Sequence, residues 1–306
     1  MHTTASDGRL TPVELVARAA AAGLTTISVT DHDTVAAVDD VTAAGRPIGI
    51  RVIPGIEITS IDDGRDVHML GYLFDQDSPR LAEFLVGQRA LRIARIREMA
   101  ARLAAMNMAV DVERVLLSAA SRPGASVGRP QLARELVRAG FVASVQQAFD
   151  QLLATGRPAY VPRTGPSPAT VIETIHAAGG IASFAHPGVT KRDDLIAPLI
   201  ERGLDAIEVY HSDHSVEDVT VYRGMATRFN ALISGGSDFH GEDPPYATAT
   251  GGKPSRPARP HRATFGVITL PPEALSALEQ RASLRSTAAN ASVRPATDGG
   301  AGPGGS

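Results

Sequence analysis

Histidines and carboxylates end, or lie within, several short apolar runs of this chain, and another pair, His2 and Asp7, lies beside its first residue; all of them could bind a metal. The histidines are His2, His32, His68, His186 and His240, and the carboxylates are Asp7, Glu57 and Asp238. The chain has no cysteine, so a metal would have to use nitrogen and oxygen ligands. Such ligands suit Mn, Zn or Fe, whereas imidazole disfavours Mg²⁺ alone. The pattern therefore predicts one multinuclear site assembled from distant parts of the sequence.

Each of these motifs also has a simpler explanation. Asp33 or Thr34 could cap a helix after the run TTISV, and the segment 237–240 (SDFH) could be a polar turn. Glu57 could face solvent, although a buried carboxylate here would need a metal or a cation. His68 alone fits a hydrogen-bonded core histidine. One metal site explains all the placements together, because the carboxyl ends of parallel strands meet at one edge of an α/β sheet.

Strand and helix signals alternate over most of the sequence. Thr11-Pro12-Val13-Glu14 predicts a capping box with proline at the first helical position. Strands are predicted at 25–29, 51–59 with a proline break, 65–74, 180–185, 205–210, 231–234 and 265–270. Helices are predicted at 34–44, 167–178, 193–202, 215–229 and 272–284. Strands separated by helices favour βαβ units and a mostly parallel sheet.

The middle of the chain differs, because residues 78–160 carry only helical patterns, beginning with a long amphipathic stretch at 81–106. Shorter helices are predicted near 111–119, 129–139 and 144–154. We therefore expect an α/β domain built from residues 1–74 and 162–286. A helical insertion or cap at 75–161 would interrupt it, and a disordered tail would follow at 287–306.

Composition sets limits on the class of protein. The chain has 306 residues, 43% of them hydrophobic, which is enough for one large domain with an insertion. A net charge of -3 gives no support for bulk attraction to nucleic acid or anionic membranes. No apolar run approaches the roughly 18 residues of a spanning helix, and no secretory signal is evident. We expect a cytoplasmic protein with no membrane contact and no stable protein partner.

Six motifs, taken in order, resemble those of the PHP (polymerase and histidinol phosphatase) superfamily of metal-dependent phosphoesterases. They are HTTASDG, TDHD, PGIEIT, VHMLGY, AHPG and SDFH, and the match covers about 1–74 and 162–285. GRPQLARELV, GRPAYVPR and EVYHSDHS resemble the subgroup of 3′,5′-nucleoside bisphosphate phosphatases and 5′-3′ exoribonucleases. Gln131 departs from that subgroup, where GRPH is commoner, and could alter substrate contacts.

The resemblance implies a distorted (β/α)7 barrel, similar to a TIM barrel, with three divalent ions, often Mn²⁺, at the carboxyl ends of its strands; Zn²⁺, Fe²⁺ or Mg²⁺ are alternatives. By this likeness Glu57 bridges two metals. His2 and Asp238 share one ion and His68 and His186 the next. The third ion is held by Asp7, His32 and His240.

The family opens on His-x-His, and His2 matches its second histidine. The first would precede residue 1. We therefore expect either a start placed too late or a metal that lacks one ligand. The first alternative is favoured because Met1 fits the middle position.

The implied reaction is hydrolysis of a nucleotide phosphate ester, or of a short RNA 5′ end, by a metal-activated hydroxide. Asp238 and, more weakly, His214 are the catalytic candidates. The substrate-binding candidates are Arg129, Arg163, Arg157 and His211. His176, within a helix, and His261, in a basic loop, are expected to have no part in the chemistry.

Two other classes of function stay open. One is a different phosphatase of the superfamily, such as one acting on histidinol phosphate. The other is a metal-deficient, non-catalytic binding module, which the absence of the first histidine would produce.

Overall fold

The computed structural model describes residues 1–120, 123–241 and 265–292. Its centre is one six-stranded sheet in which the strands lie side by side in sequence order and curl into a half-barrel. The strands are β1 (Thr26–Val29), β2 (Arg51–Asp62), β3 (Arg65–Tyr72), β4 (Ile181–Phe184), β5 (Ala206–His211) and β6 (Leu232–Gly236). The fold is thus mixed α/β, as the alternation of signals predicted.

The sheet is less parallel than expected. β1–β2, β4–β5 and β5–β6 are parallel, but β3 runs antiparallel to both of its neighbours. β2 continues through Pro54 without a break. The chain then turns back into β3 at Asp63 and Gly64, whose φ angles are 48° and 71°. Two residues with positive φ form the tight turn that suits a two-residue hairpin, and Asp-Gly is a favoured pair for it. The predicted proline break in this strand is therefore wrong, and the DG signal determines the hairpin.

Eleven α-helices surround this sheet in the part of the chain that the structure describes. They are α1 (Pro12–Ala21), α2 (Val38–Gly45), α3 (Pro79–Ala105), α4 (Val112–Ala120), α5 (Arg129–Arg138), α6 (Val145–Ala148), α7 (Pro168–Ala177), α8 (Pro187–Thr190), α9 (Ile196–Glu201), α10 (Val216–Arg228) and α11 (Pro272–Ser292). The Thr11 side chain and Glu14 form the predicted capping box at the start of α1. None of the described helices is long and apolar enough to cross a membrane.

Residues 79–153, which we call the helical segment, contain helices α3 to α6 and a π-helical turn, Phe149–Leu153. Ile96, Met99 and Leu103 of α3 pack against Leu132 and Leu136 of α5 in a hydrophobic cluster separate from the one beneath the sheet. Apolar residues at helical spacing on both helices explain this second core. The helical segment lies between β3 and β4 in the sequence, and these two strands are paired in the sheet.

The predicted strand at 265–270 is wrong. These residues form a turn in which Gly266 has a φ of 85°, and Phe265 packs edge-on against Phe239 with ring centroids 4.5 Å apart. Helix α11 extends beyond its predicted end and into the segment expected to be disordered; residues 293–306 and His261 lie outside the described residues.

Among the described residues no ladder joins β1 to β6. Instead, the first residues of the chain connect the ends of these two strands. The Thr30 amide donates to the Met1 carbonyl (2.8 Å), and the His2 amide donates to the Phe239 carbonyl (2.8 Å). His2 is thereby fixed between the ends of β1 and β6.

Candidate metal centre

Glu57 lies at the centre of the histidine cluster. It is 2% exposed, and each of its carboxylate oxygens faces two imidazoles. Oε1 is 2.6 Å from His68 Nδ1 and 3.1 Å from His186 Nε2. Oε2 is 3.1 Å from His2 Nε2 and 3.6 Å from His32 Nδ1. Glu57 thus lies between two pairs of imidazoles, and the bridging role that the motif likeness implied for it stays a prediction.

Two further carboxylates complete the cluster. Asp238 Oδ1 is 3.1 Å from His2 Nε2. Asp7 Oδ1 is 3.3 Å from His240 Nε2, and Asp7 Oδ2 is 3.9 Å from His32 Nε2. All eight predicted ligands are thus brought together from six separate segments of the chain.

Seven of the eight predicted ligands fall into three overlapping groups, each within 4.8 Å: His2, Asp7, His32 and His240; His32, Glu57 and His68; and His2, Glu57 and Asp238. His186 is in none of these groups and contacts Glu57 alone among the carboxylate ligands. Each group combines imidazole nitrogen with carboxylate oxygen, which suits Mn²⁺, Zn²⁺ or Fe²⁺. His32 Nδ1 is buried and makes no hydrogen bond within the described part of the chain. The residues present therefore fit divalent metal ions.

In the metal-free protein, burial and the nearby carboxylates shift the pKa values of the clustered histidines. Burial would lower the pKa of His2, but the carboxylates of Asp238 and Glu57 outweigh it and raise the pKa to about 10. His186 responds in the same way to Glu57, and its pKa rises to about 9. Burial dominates at His32 and lowers its pKa to about 3. Protons on His2 and His186 thus balance the carboxylates when no metal is bound.

The backbone is strained where strands deliver their ligands. Asp33, His186 and Asp238 have φ angles of 52°, 29° and 49°, a region that non-glycine residues seldom adopt. At His186 the amide donates to Glu208 Oε2 (2.7 Å), and the His186 carbonyl accepts from the Val189 amide (2.9 Å). These bonds hold the His186 side chain toward Glu57.

Sequence reasoning missed Glu208, which is 3% exposed on β5. Burial raises its pKa to about 8, although the nearby His186 opposes that shift. In the sequence, Glu208 resembles a solvent-facing residue of an alternating strand. Its carboxylate lies inside the half-barrel because β5 is covered on both faces.

His211 and His214 lie at the edge of the cluster. His211 Nε2 is 4.0 Å from Asp238 Oδ2. His214 Nδ1 donates to the Val209 carbonyl (2.8 Å), and its Nε2 accepts from the Gly188 amide (3.1 Å). Because the main chain occupies both ring nitrogens, the contacts of His214 fit a residue that holds the loop after His186; its catalytic role stays a prediction.

The three arginines expected to bind substrate occupy different environments. Arg163 Nη1 donates to Thr59 Oγ1 (3.2 Å), and Thr59 is the cross-strand neighbour of His68. Arg129 lies over the rings of Phe149 and Tyr160, at 5.7 and 5.8 Å from their centroids. Arg157 is exposed. Only Arg163 contacts a residue directly beside the ligand cluster in the geometry described here.

Two buried arginines of α3, Arg92 and Arg95, were not anticipated. Arg92 donates to Asp33 Oδ2 (2.5 Å) and to Thr59 Oγ1 (2.9 Å). Arg95 donates through Nε to the Val161 carbonyl (2.8 Å), while its buried Nη2 has no hydrogen-bond partner among the described residues. Arginines on an amphipathic helix usually indicate a solvated face, so their burial could not be predicted from the sequence.

His176, predicted to have no part in the chemistry, donates from Nε2 to Asp205 Oδ2 (2.8 Å), and Arg285 also binds this carboxylate (2.7 Å). The contact fixes α7 and α11 at the amino-terminal ends of β4 and β5, and none of these three residues belongs to the ligand cluster.

Comparisons with known proteins agree with this arrangement. The PHP domain model matches residues 1–154. A 5′-3′ exoribonuclease of Haemophilus influenzae is 37% identical over 246 residues, covering 78% of this chain and 88% of the relative. A 3′,5′-nucleoside bisphosphate phosphatase of Chromobacterium violaceum is 35% identical over 248 residues, covering 78% and 85%.

Two solved structures are also similar to this chain over most of its length. A protein of Bifidobacterium adolescentis, described as a predicted metal-dependent phosphoesterase, superposes with a TM-score of 0.78 at 30% identity, covering 92% of this chain and 94% of that one. A Chromobacterium violaceum amidohydrolase with bound sulfate gives 0.75 at 31% identity and the same coverage. On its motifs, its fold and the geometry of its eight clustered ligands, this chain belongs to the PHP domain family.

Proposed function

We propose that this chain is a metal-dependent phosphoesterase that removes phosphate from nucleotides carrying a second phosphate, such as 3′,5′-nucleoside bisphosphates or the 5′ ends of short RNA. The observation that carries the proposal is the cluster of arginines beside the metal ligands. Asp33 and Asp66 offset two of these charges, because they pair with Arg92 Nε (2.5 Å) and Arg163 Nε (3.1 Å). Arg95 Nη2 is buried and has no hydrogen-bond partner among the described residues, and a bound anion would satisfy it.

The desolvation of these arginines supports an anion site. Burial, together with the neighbouring Arg92 charge, lowers the pKa of Arg163 to about 9. Burial and the charge of Arg129 lower the pKa of Arg95 to about 10. A phosphate dianion would relieve both effects, and a guanidinium matches its oxygens with two parallel donors. Arg163 is our first candidate to bind the phosphate that is not hydrolysed, followed by Arg129, with Arg157 and His211 at the rim.

Divalent ions bound by the eight ligands would acidify coordinated water and offset the charge of the phosphoryl oxygens. We propose three ions, with Mn²⁺ favoured by the mixed imidazole and carboxylate donors. Glu57 would join two of them, and Asp238 would orient His2 and face the substrate. His214 holds the loop that presents His186.

Two features support further parts of the proposal. Because paired strands β3 and β4 flank the helical segment, we propose that residues 75–161 form an insertion into an α/β domain comprising 1–74 and 162–286. Because Met1 and His2 bond to residues at the ends of β1 and β6, we propose that they complete the curled sheet on this side, in place of the strand expected at 265–270, which forms a turn.

The relatives favour nucleotide substrates, since two of those compared are named for RNA or for a nucleoside bisphosphate. A relative from Eggerthella lenta, 30% identical, is named for a phosphoribosyl cyclic phosphate instead. The sulfate held by the Chromobacterium violaceum structure is a chemical stand-in for phosphate.

The test is phosphate release by the manganese-loaded protein from a 3′,5′-bisphosphonucleotide, a 5′-mononucleotide, a 5′-phosphorylated oligoribonucleotide and histidinol phosphate. We expect a higher kcat/KM for the first or third than for the others. A preference for histidinol phosphate would favour the alternative phosphatase, and absence of release from all four would favour a binding module.

A matched pair of variants tests the arginine cluster. Arg163→Ala should raise KM for the bisphosphate about 10- to 100-fold, since a hydrogen bond to a charged group contributes about 1.5–3 kcal/mol. The selectivity over the mononucleotide should fall by the same factor. Arg97→Ala removes a half-exposed arginine of α3 that pairs with Glu113, and it should change neither value. Equal KM values for the two variants would contradict the proposal.

A further inference from the structure

The loop that carries Asp7, residues 2–8, accepts hydrogen bonds from the helical segment. Three successive carbonyls of this loop accept hydrogen bonds from it. The Ala5 carbonyl accepts from the Ser126 amide (2.7 Å), the Ser6 carbonyl accepts from Gln131 Nε2, and the Asp7 carbonyl accepts from Arg134 Nη2 (2.7 Å). The donors of the last two hydrogen bonds, Gln131 and Arg134, are side chains of α5.

The opposite side of the same loop is bound to the sheet. Asp31, at the end of β1, accepts from the Thr3 amide (2.7 Å), from Thr3 Oγ1 (2.7 Å) and from Ser6 Oγ (2.5 Å). The loop is therefore held between the sheet and α5. Its side chains point to Asp31 and its carbonyls point to the helical segment, which leaves the Asp7 carboxylate directed at His240 and His32.

Among the described residues, the hydrogen bonds of the Gln131 side chain are made to main-chain groups. It is 9% exposed, its Oε1 accepts from the Gly128 amide (3.0 Å), and its Nε2 reaches the Ser6 carbonyl. The first bond caps α5 and the second crosses to the metal-ligand loop. The expectation that Gln131 alters substrate contacts is not favoured by this geometry, because the main chain engages both ends of the amide.

We propose that Gln131 and Arg134 are positioning residues for Asp7, so that the helical segment sets the affinity of one particular metal position, the group of His2, Asp7, His32 and His240. The proposal rests on the proposed metal centre but not on any substrate. Groups that orient a metal ligand typically change metal affinity about 10- to 100-fold when they are replaced. The other two groups contain no residue of this loop beyond His2, and they should be unaffected.

Gln131→Glu is the sharpest variant, because it keeps Oε1 for the Gly128 amide and replaces only the donor to Ser6 with a carboxylate oxygen. Arg134→Met removes the donor to Asp7 and keeps the apolar stem, and Arg134→Lys should restore part of the effect. Arg138→Met is the matched control, since this half-exposed arginine of the same helix pairs only with Glu135 in the contacts described.

The protein is dialysed against defined free Mn²⁺ concentrations and its bound manganese is measured by elemental analysis. Melting of the metal-free protein is followed in parallel. We expect Gln131→Glu and Arg134→Met to weaken one manganese position about 10- to 100-fold, with the other positions, the metal-free melting temperature and the control unchanged.

Unchanged manganese binding in both variants overturns the proposal. So does a uniform loss of all manganese accompanied by a lower metal-free melting temperature, because that result would mean a general structural role. Wild-type protein that binds no manganese overturns the metal centre itself, and this proposal with it. The first two outcomes leave the metal centre standing, so the two failures are distinguishable.

Discussion

Binding of divalent metal is expected to release at least two protons and to tighten at least about 100-fold for each unit of pH between 6.5 and 8. In the metal-free protein, nearby carboxylates raise the pKa of His2 to about 10 and that of His186 to about 9, despite burial. Both imidazoles are therefore charged throughout this range and must lose a proton to become ligands. The pKa of His240 is also raised by nearby carboxylates despite burial, so this ligand adds to the proton release at the lower end of the range. The carboxylates contribute none, because neighbouring histidines hold the pKa values of Asp7, Glu57 and Asp238 well below their usual range although burial opposes this.

Two displaced protons correspond to about 2.7 kcal/mol of binding free energy per pH unit, since one unit equals 1.36 kcal/mol for each proton. Calorimetric titration of metal-free protein with MnCl₂, in buffers of different ionisation enthalpy, measures the protons released. The dissociation constant at four pH values gives the slope independently.

Matched histidine variants separate the two contributions. His2→Gln should reduce the proton release by about one, whereas His176→Gln, which lies outside the ligand cluster, should leave it unchanged. Release of less than one proton by the wild type, or a dissociation constant that varies less than about 10-fold per pH unit, would refute the reasoning.

Three further outcomes are expected. Asp238→Ala should abolish phosphate release while the far-ultraviolet circular dichroism stays that of the wild type, and undiminished turnover would remove Asp238 from the site. Asp205→Asn should lower the free energy of unfolding by about 3–5 kcal/mol in urea titration, because the buried carboxylate that pairs with His176 and Arg285 is lost; a loss below about 1 kcal/mol would contradict this. Metal-free protein should lose stability as pH rises through about 9, because the folded pKa of His186 exceeds its unfolded value of 6.5 and its contribution is complete only below 6.5; thermal melting at pH 6.5 and 9.5 that shows the reverse order would contradict it.

The ligands of the candidate metal centre could be found in the sequence because their signals are local. A histidine or carboxylate that ends an apolar run is visible without knowledge of the fold, and the structure brings all eight into one cluster. The family resemblance, rather than any local signal, implied how the ligands group. In the structure Asp7 lies with His32 and His240, and His2 lies with Asp238, whereas His68 groups with His32 and Glu57 and not with His186.

Other parts of the site could not be read in this way. Glu208 and Arg95 have the sequence pattern of solvent-facing residues, and only the packing of elements on both sides makes them buried. The antiparallel hairpin of β2 and β3 was missed because a strand pattern does not reveal its direction, although the Asp63-Gly64 turn carried the signal.

The sequence alone determined which residues are available as ligands and that strand ends present them. It also determined the capping of α1 and the helical character of residues 79–153. Each of these depends on a few neighbouring residues, whose side-chain spacing and turn preferences act over short distances.

Only the tertiary structure decided how those pieces meet. The curl of the sheet places Glu57 between four imidazoles, and α5 reaches across to three carbonyls of the Asp7 loop. The contacts of α5 with this loop join residues more than 100 positions apart, so they follow from helix packing, which no local pattern specifies. The sequence thus supplies the ligands of the candidate metal centre. The sheet and the helical segment bring these ligands together only in the folded chain.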